Sequence, residues 1–81
     1  MDKYFVYILT SEKDGRLYNG LTTDLEKRIR EHNNGKTKST KGYCPWKLID
    51  KQEFITLEEA RKREKYFKTG IGREFIKKLH P

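Results

Sequence analysis

Residues 3–20 read KYFVYILTSEKDGRLYNG. The opening run, Lys3 to Thr10, is dominated by aromatic and β-branched side chains, the composition of a β-strand. It is apolar on both faces, as expected for a strand buried on both sides. SEKDG (11–15) then carries turn residues and ends in Asp14-Gly15. RLYNGL (16–21) reads as a second strand, with Gly20 marking a bulge or the strand's end. The two strands together make a β-hairpin.

Working outward, Thr23-Asp-Leu-Glu26 fits a capping box, and LEKRIREH follows it with helical spacing. Asn33-Asn34-Gly35 ends that helix with residues that tolerate left-handed backbone. KTKSTKGYCP (36–45) is polar, basic and turn-rich, hence a loop. Trp46 to Ile55 alternates as a third strand, with Trp46, Leu48 and Asp50 on one face and Lys47, Ile49 and Lys51 on the other. Thr56-Leu-Glu-Glu59 is a second capping box, opening a helix that runs to about Lys68. Gly70 and Gly72 break the pattern, and REFIKKL (73–79) is a short last helix before His80-Pro81. The order is β-β-α-β-α-α. The expected fold is α/β (α+β), one domain over residues 1–81, with a three-stranded antiparallel sheet flanked by three helices.

Only 33% of the 81 residues are hydrophobic, so nearly every apolar side chain is needed in the core. Net charge is +7 and unevenly placed. Residues 1–31 hold six Lys/Arg against six Asp/Glu; the remainder holds thirteen against six. Such asymmetry points to a polyanionic partner, or simply to a solvated surface. The basic residues concentrate in 36–51, with Lys36, Lys38 and Lys41, and in 61–68, with Arg61 and Lys68. One cysteine, Cys44, excludes an internal disulfide and a Cys-rich zinc site. The apolar stretch Phe5 to Leu9 is too short for a signal-peptide core or a membrane span. The expected compartment is the cytoplasm.

Five positions invite a chemical reading. Glu64 falls within the helical arc defined by Leu57, Ala60 and Phe67, where an isolated carboxylate is costly unless paired or bound to a metal. The plainer alternative is a stripe-edge Glu turned out beside Arg61 or Lys68. Arg28 and His32 are i and i+4 neighbours on a flank of the helix marked by Leu25 and Ile29. They fit a phosphate cradle, or equally a surface Arg and a His favoured by the helix dipole. Tyr7 and Tyr18 are, each alone, ordinary core tyrosines with one hydrogen-bonded hydroxyl.

Taken in order, FVY (5–7), YNG (18–20), Arg28, His32 and Glu64 resemble the GIY-YIG nuclease superfamily. Ten residues separate Tyr7 from Tyr18, and Arg28 stands ten positions after Tyr18. YNGLTTDLEKRIREHNNGK and EEARKREKYFK look most like its small stand-alone members, and the resemblance runs from Tyr4 to about Lys78. It implies that Tyr7 lines the site and that Tyr18 acts as general base or positions the water. It further implies that Arg28 steadies phosphate charge, that Glu64 binds a divalent Mg²⁺ or Mn²⁺ ion, and that His32 joins the catalytic group. Phe5 replaces the motif Gly, Asn19 replaces the motif Ile, and no Asn follows Asn34, although many family nucleases carry one after the Glu.

The expectation is therefore a metal-dependent nuclease acting on DNA rather than RNA, with structured or damaged DNA in view. A protein partner supplying specificity would suit so small a domain. The alternative is a nucleic-acid-binding module that keeps the fold without turnover.

Overall fold

A computed structural model describes residues 3–79 of the chain; His80 and Pro81 lie outside them. The hairpin closes as the turn chemistry requires: β1 spans Tyr4–Ser11 and β2 spans Leu17–Thr22. They are antiparallel, with Tyr7 opposite Gly20 and Leu9 opposite Tyr18. The third strand, β3 (Trp46–Phe54), pairs antiparallel with the other side of β1, giving the order β2-β1-β3. The most apolar strand thus takes the middle, where its two faces are both covered.

Alternation along β1 divides the core. Val6 and Ile8 face Ala60, Phe67 and Ile76, which belong to α2 (Leu57–Phe67) and α3 (Gly70–Leu79). Tyr7 and Leu9 face the other way, packing with Trp46, Tyr18, Leu48 and with Leu25 and Ile29 of α1 (Leu25–Asn33). The architecture is three layers, α1 on one side of the sheet and α2 with α3 on the other. The β-β-α-β-α-α order and the three-stranded antiparallel sheet are as expected.

Three local details differ from the sequence reading. Helix α1 is capped by Asp24, whose carboxylate accepts from the Lys27 N–H at 3.2 Å; Thr23 does not serve. Asp is the stronger capping residue of the two. Helix α3 starts at Gly70, not Arg73. The Thr69 hydroxyl accepts from the Gly72 N–H at 3.0 Å, and a side chain on Gly72 would run into the Tyr66 backbone carbonyl. The glycine is there because α3 crosses the end of α2 at close range. Finally, a bulge opposite Ile8 and Leu9 shifts the alternation of β3. Asp50 therefore pairs with Ile8, not on the Trp46 face, while Lys51 pairs with Tyr7 and shares its face.

Candidate active site

The end of α1 sets the position of His32. Gly35, at φ 72, takes the left-handed conformation that closes the helix. The Gly35 N–H then reaches the His32 carbonyl at 3.3 Å, and the Lys36 N–H reaches that of Glu31 at 3.0 Å. This fixed turn leads into the 36–45 loop, which folds back over the helix end. The Trp46 indole N–H donates to the Thr40 carbonyl at 3.0 Å, and the Cys44 thiol donates to the His32 carbonyl at 3.0 Å. His32 and Thr40 end up 0% and 1% exposed.

Within this layer four of the expected residues come together. The Tyr7 Oη and His32 Nε2 are 2.9 Å apart, and His32 Nδ1 is 2.9 Å from the Thr40 Oγ1. The Tyr18 ring stands edge-on to His32, with centroids 5.0 Å apart, and lies 6.4 Å from the Tyr7 ring. Arg28 pairs with Glu31 at 3.1 Å and lies beside the Tyr7 hydroxyl; both neighbours hold its guanidinium still more firmly charged. Burial pushes the Tyr7 phenol up to about 12, against the opposing pull of Arg28. At neutral pH Tyr7 is therefore a hydrogen-bond donor, not a phenolate.

Gly20 makes room for that hydroxyl. A Cβ at Gly20 would meet the Tyr7 Oη and ring carbon. Gly20→Ala is expected to push Tyr7 off His32 and to cost about 1–3 kcal/mol, as overpacked sites do. Urea unfolding reads the cost; an unchanged midpoint would show that Tyr7 has another resting place.

His32 is shifted down, first by burial and then by the Arg28 charge, with Glu31 opposing. A depressed folded-state value means that the unfolded chain takes up the proton first as pH falls. Stability is then full above about pH 6.5, the ordinary imidazole value, and drops as pH falls from there toward the folded-state value. The urea midpoint of the wild type should fall between pH 7.5 and 5.5 more than that of His32→Gln; parallel decreases would contradict this.

Glu64 approaches from the other layer. It lies on α2, between buried Ala60 and Phe67, with its side chain 24% exposed and the Lys68 Nζ at 3.7 Å. The carboxylate sits at the stripe's edge beside Lys68, and its charge helps raise the Tyr7 phenol. Asn19 connects the two layers. Glu64 is in the last turn of α2, where carbonyls lack intrahelical partners. The Lys68 and Thr69 N–H groups serve the carbonyls of Lys65 and Tyr66, and the Asn19 amide donates to that of Glu64 at 3.0 Å. The polar residue in the second motif thus pins Glu64 to β2. Asn19→Ala should cost about 1 kcal/mol and speed hydrogen exchange at the end of α2; unaltered exchange there would refute the pinning.

The donor set can be tested against a metal. No three His, Cys, Asp or Glu side chains converge among the described residues, so a tetrahedral zinc cage does not fit. One half-buried carboxylate at the rim does fit Mg²⁺ or Mn²⁺, which is held by one or two carboxylates, several waters and substrate phosphate.

The cations fall on both layers. Lys36, Lys38 and Lys41 are exposed on the loop over α1, whereas Arg61 is exposed on α2 and Lys68 just past its C-terminal end. Sequence reasoning missed Lys51, brought onto the Tyr7 face by the bulge, for which the even alternation gave no signal. It also missed Arg73 and Lys77, which with Tyr18 and Asn19 line a groove of about 490 Å³ between β2 and α3. Thr40 was one polar loop residue among several. No helix among the described residues is long and apolar enough to cross a membrane.

The comparisons with known proteins agree with this fold. The GIY-YIG catalytic domain family matches residues 3–75. A UPF0213 protein of Staphylococcus saprophyticus is 49% identical over 78 residues, covering 95% of this chain and 94% of that one. One of Clostridium perfringens is 49% identical over 65 residues, covering 79% and 69%. The solution structure of a UPF0213 protein from Bacillus halodurans superposes with a TM-score of 0.60 at 36% identity, covering 96% of this chain and 85% of that one.

Proposed function

The chain belongs to the GIY-YIG catalytic domain family, a family of nucleases, and on that premise we propose that it is a divalent-metal-dependent endonuclease acting on DNA. The observation that carries the proposal is the buried Tyr7–His32–Thr40 chain, set beside Arg28 and Tyr18. There a fully buried imidazole bonded at both nitrogens lies next to a guanidinium. Hydrolysis of a phosphodiester uses both.

In this reading Tyr18, the more exposed tyrosine, orients the attacking water. As the water oxygen bonds to phosphorus, its proton passes to the Tyr7 oxygen and the Tyr7 proton passes to His32 Nε2. No phenolate has to form, so a phenol at about 12 is no obstacle. Arg28 offers preorganised positive charge to the phosphoryl oxygens. The bond to the leaving sugar oxygen breaks, and that oxygen takes a proton from solvent. Glu64 would hold a Mg²⁺ or Mn²⁺ ion, which would supply charge neutralisation for the leaving group.

The groove beside Tyr18 and Asn19, with Arg73 and Lys77 on its wall, offers a path for the backbone on one side of the scissile phosphate. Phosphate contacts position a duplex without reading its sequence. We therefore expect a preference for branched or otherwise structured DNA, with any sequence choice supplied by a protein partner.

The test is a cleavage screen of branched, duplex and single-stranded DNA, with RNA counterparts, in Mg²⁺, in Mn²⁺ and in chelator. Metal-dependent cleavage of at least one DNA, absent from Arg28→Ala, supports the proposal. Salt-sensitive binding without cleavage of any substrate would overturn it in favour of a binding module.

A further inference from the structure

Resting on the nuclease reading, the inference concerns the far end of the buried chain, where His32 Nδ1 meets a loop that no motif covers. The imidazole of His32 has a hydroxyl at 2.9 Å on each nitrogen, so two neutral arrangements compete. In one, Nδ1 carries the proton and donates to the Thr40 Oγ1. The Thr40 hydroxyl then donates to the Thr37 carbonyl, 3.3 Å away. Nε2 is left free to accept from the Tyr7 hydroxyl. In the other, Nε2–H donates to Tyr7 and Thr40 donates to Nδ1.

The second arrangement fails at Tyr7. Its oxygen would accept from Nε2, while its own proton, on a residue 1% exposed, would need a different acceptor. Among the described residues the acceptor within hydrogen-bond reach of that proton is His32 Nε2. A buried donor without an acceptor is the costlier outcome. The first arrangement gives each of the three protons an acceptor.

We propose that Thr40 is a positioning residue that holds His32 in the Nδ1–H form, so that Nε2 faces Tyr7 as the proton acceptor of the site. The loop is built to keep Thr40 there. Its carbonyl receives the Trp46 indole N–H at 3.0 Å, and its own N–H bonds the Thr37 carbonyl at 3.1 Å. The 36–45 segment therefore completes the site from within, beyond presenting lysines at its surface.

The imidazole ¹⁵N resonances of the folded protein at pH 7.5, assigned with His32→Gln, read the tautomer without any substrate. The expected result is Nδ1–H in the wild type and in Thr40→Ser, with a shift toward Nε2–H in Thr40→Val. In single- and multiple-turnover cleavage, Thr40→Val should lower kcat about 10- to 100-fold, as loss of a supporting hydrogen bond does, with KM unchanged and Thr40→Ser restoring the rate. Wild-type Nε2–H overturns the proposal, as does a Thr40→Val protein that keeps both Nδ1–H and full kcat. If Thr40→Val does not fold, the wild-type tautomer decides alone. Absence of cleavage by the wild type would defeat the nuclease reading while leaving the tautomer measurement standing.

Discussion

Glu64→Gln is expected to lower single-turnover cleavage by about 10²–10³ while leaving the fold intact. The side chain sits at the rim of its helix, and its partner is Lys68 at 3.7 Å, with the lysine more than half exposed. Exposed ion pairs of this kind contribute about 0–1 kcal/mol. The thermal midpoint should therefore move little. Glutamine keeps the backbone carbonyl that Asn19 holds, so α2 stays pinned to β2. Affinity for DNA should stay level or rise, because a negative charge has been removed from a basic surface. Loss of rate with retained binding is the signature of a metal ligand. A Glu64→Gln protein that cleaves at the wild-type rate would remove the carboxylate from the chemistry.

Tyr7→Phe carries the second large effect, and here rate and stability fall together. The phenyl ring keeps its packing against Leu9 and Trp46, but His32 Nε2 loses its donor at a site 0% exposed. An unpaired buried acceptor costs about 1–3 kcal/mol, which urea unfolding reads directly. Removal of a positioned acid–base group costs about 10²–10⁴ in rate. Tyr18→Phe should lower the rate with far less change in stability, since Tyr18 contributes ring contacts to His32 and Trp46 that phenylalanine preserves. Equal stability losses in the two variants would contradict the distinct roles given to these tyrosines.

The sequence already carried the features that decide the topology. A strand apolar on both faces had to lie in the middle of a covered sheet, and β1 does. The grouping of Tyr7, Tyr18, Arg28 and His32 followed from spacing and resemblance, and these four side chains gather in one layer. What escaped the reading depends on contacts remote in sequence. Asn19 looked like a blemish in the motif until the unpaired carbonyl in the last turn of α2 gave it a partner 45 positions away. Lys51 changed faces through a bulge, which alternation cannot foresee. Thr40 gained its place because Trp46 and His32 both reach into a loop whose composition marked it only as polar. The glycines at 70 and 72 read as breakers, although α3 begins at the first and uses the second to pass close to the end of α2.

On the proposed function, two half-sites on opposite faces of the sheet, Glu64 on one and the Tyr7–His32 cluster on the other, act as one site across β2. Mn²⁺ titration followed by paramagnetic broadening of the protein's NMR signals tests it most directly, in the presence of a phosphorothioate DNA that resists cleavage. Glu64, Lys68, Asn19, Gly20 and the Tyr7 and Tyr18 rings are expected to broaden together, and Glu64→Gln to abolish the broadening at all of them. Broadening confined to Glu64 and Lys68, with Gly20 and the tyrosines untouched, would contradict it.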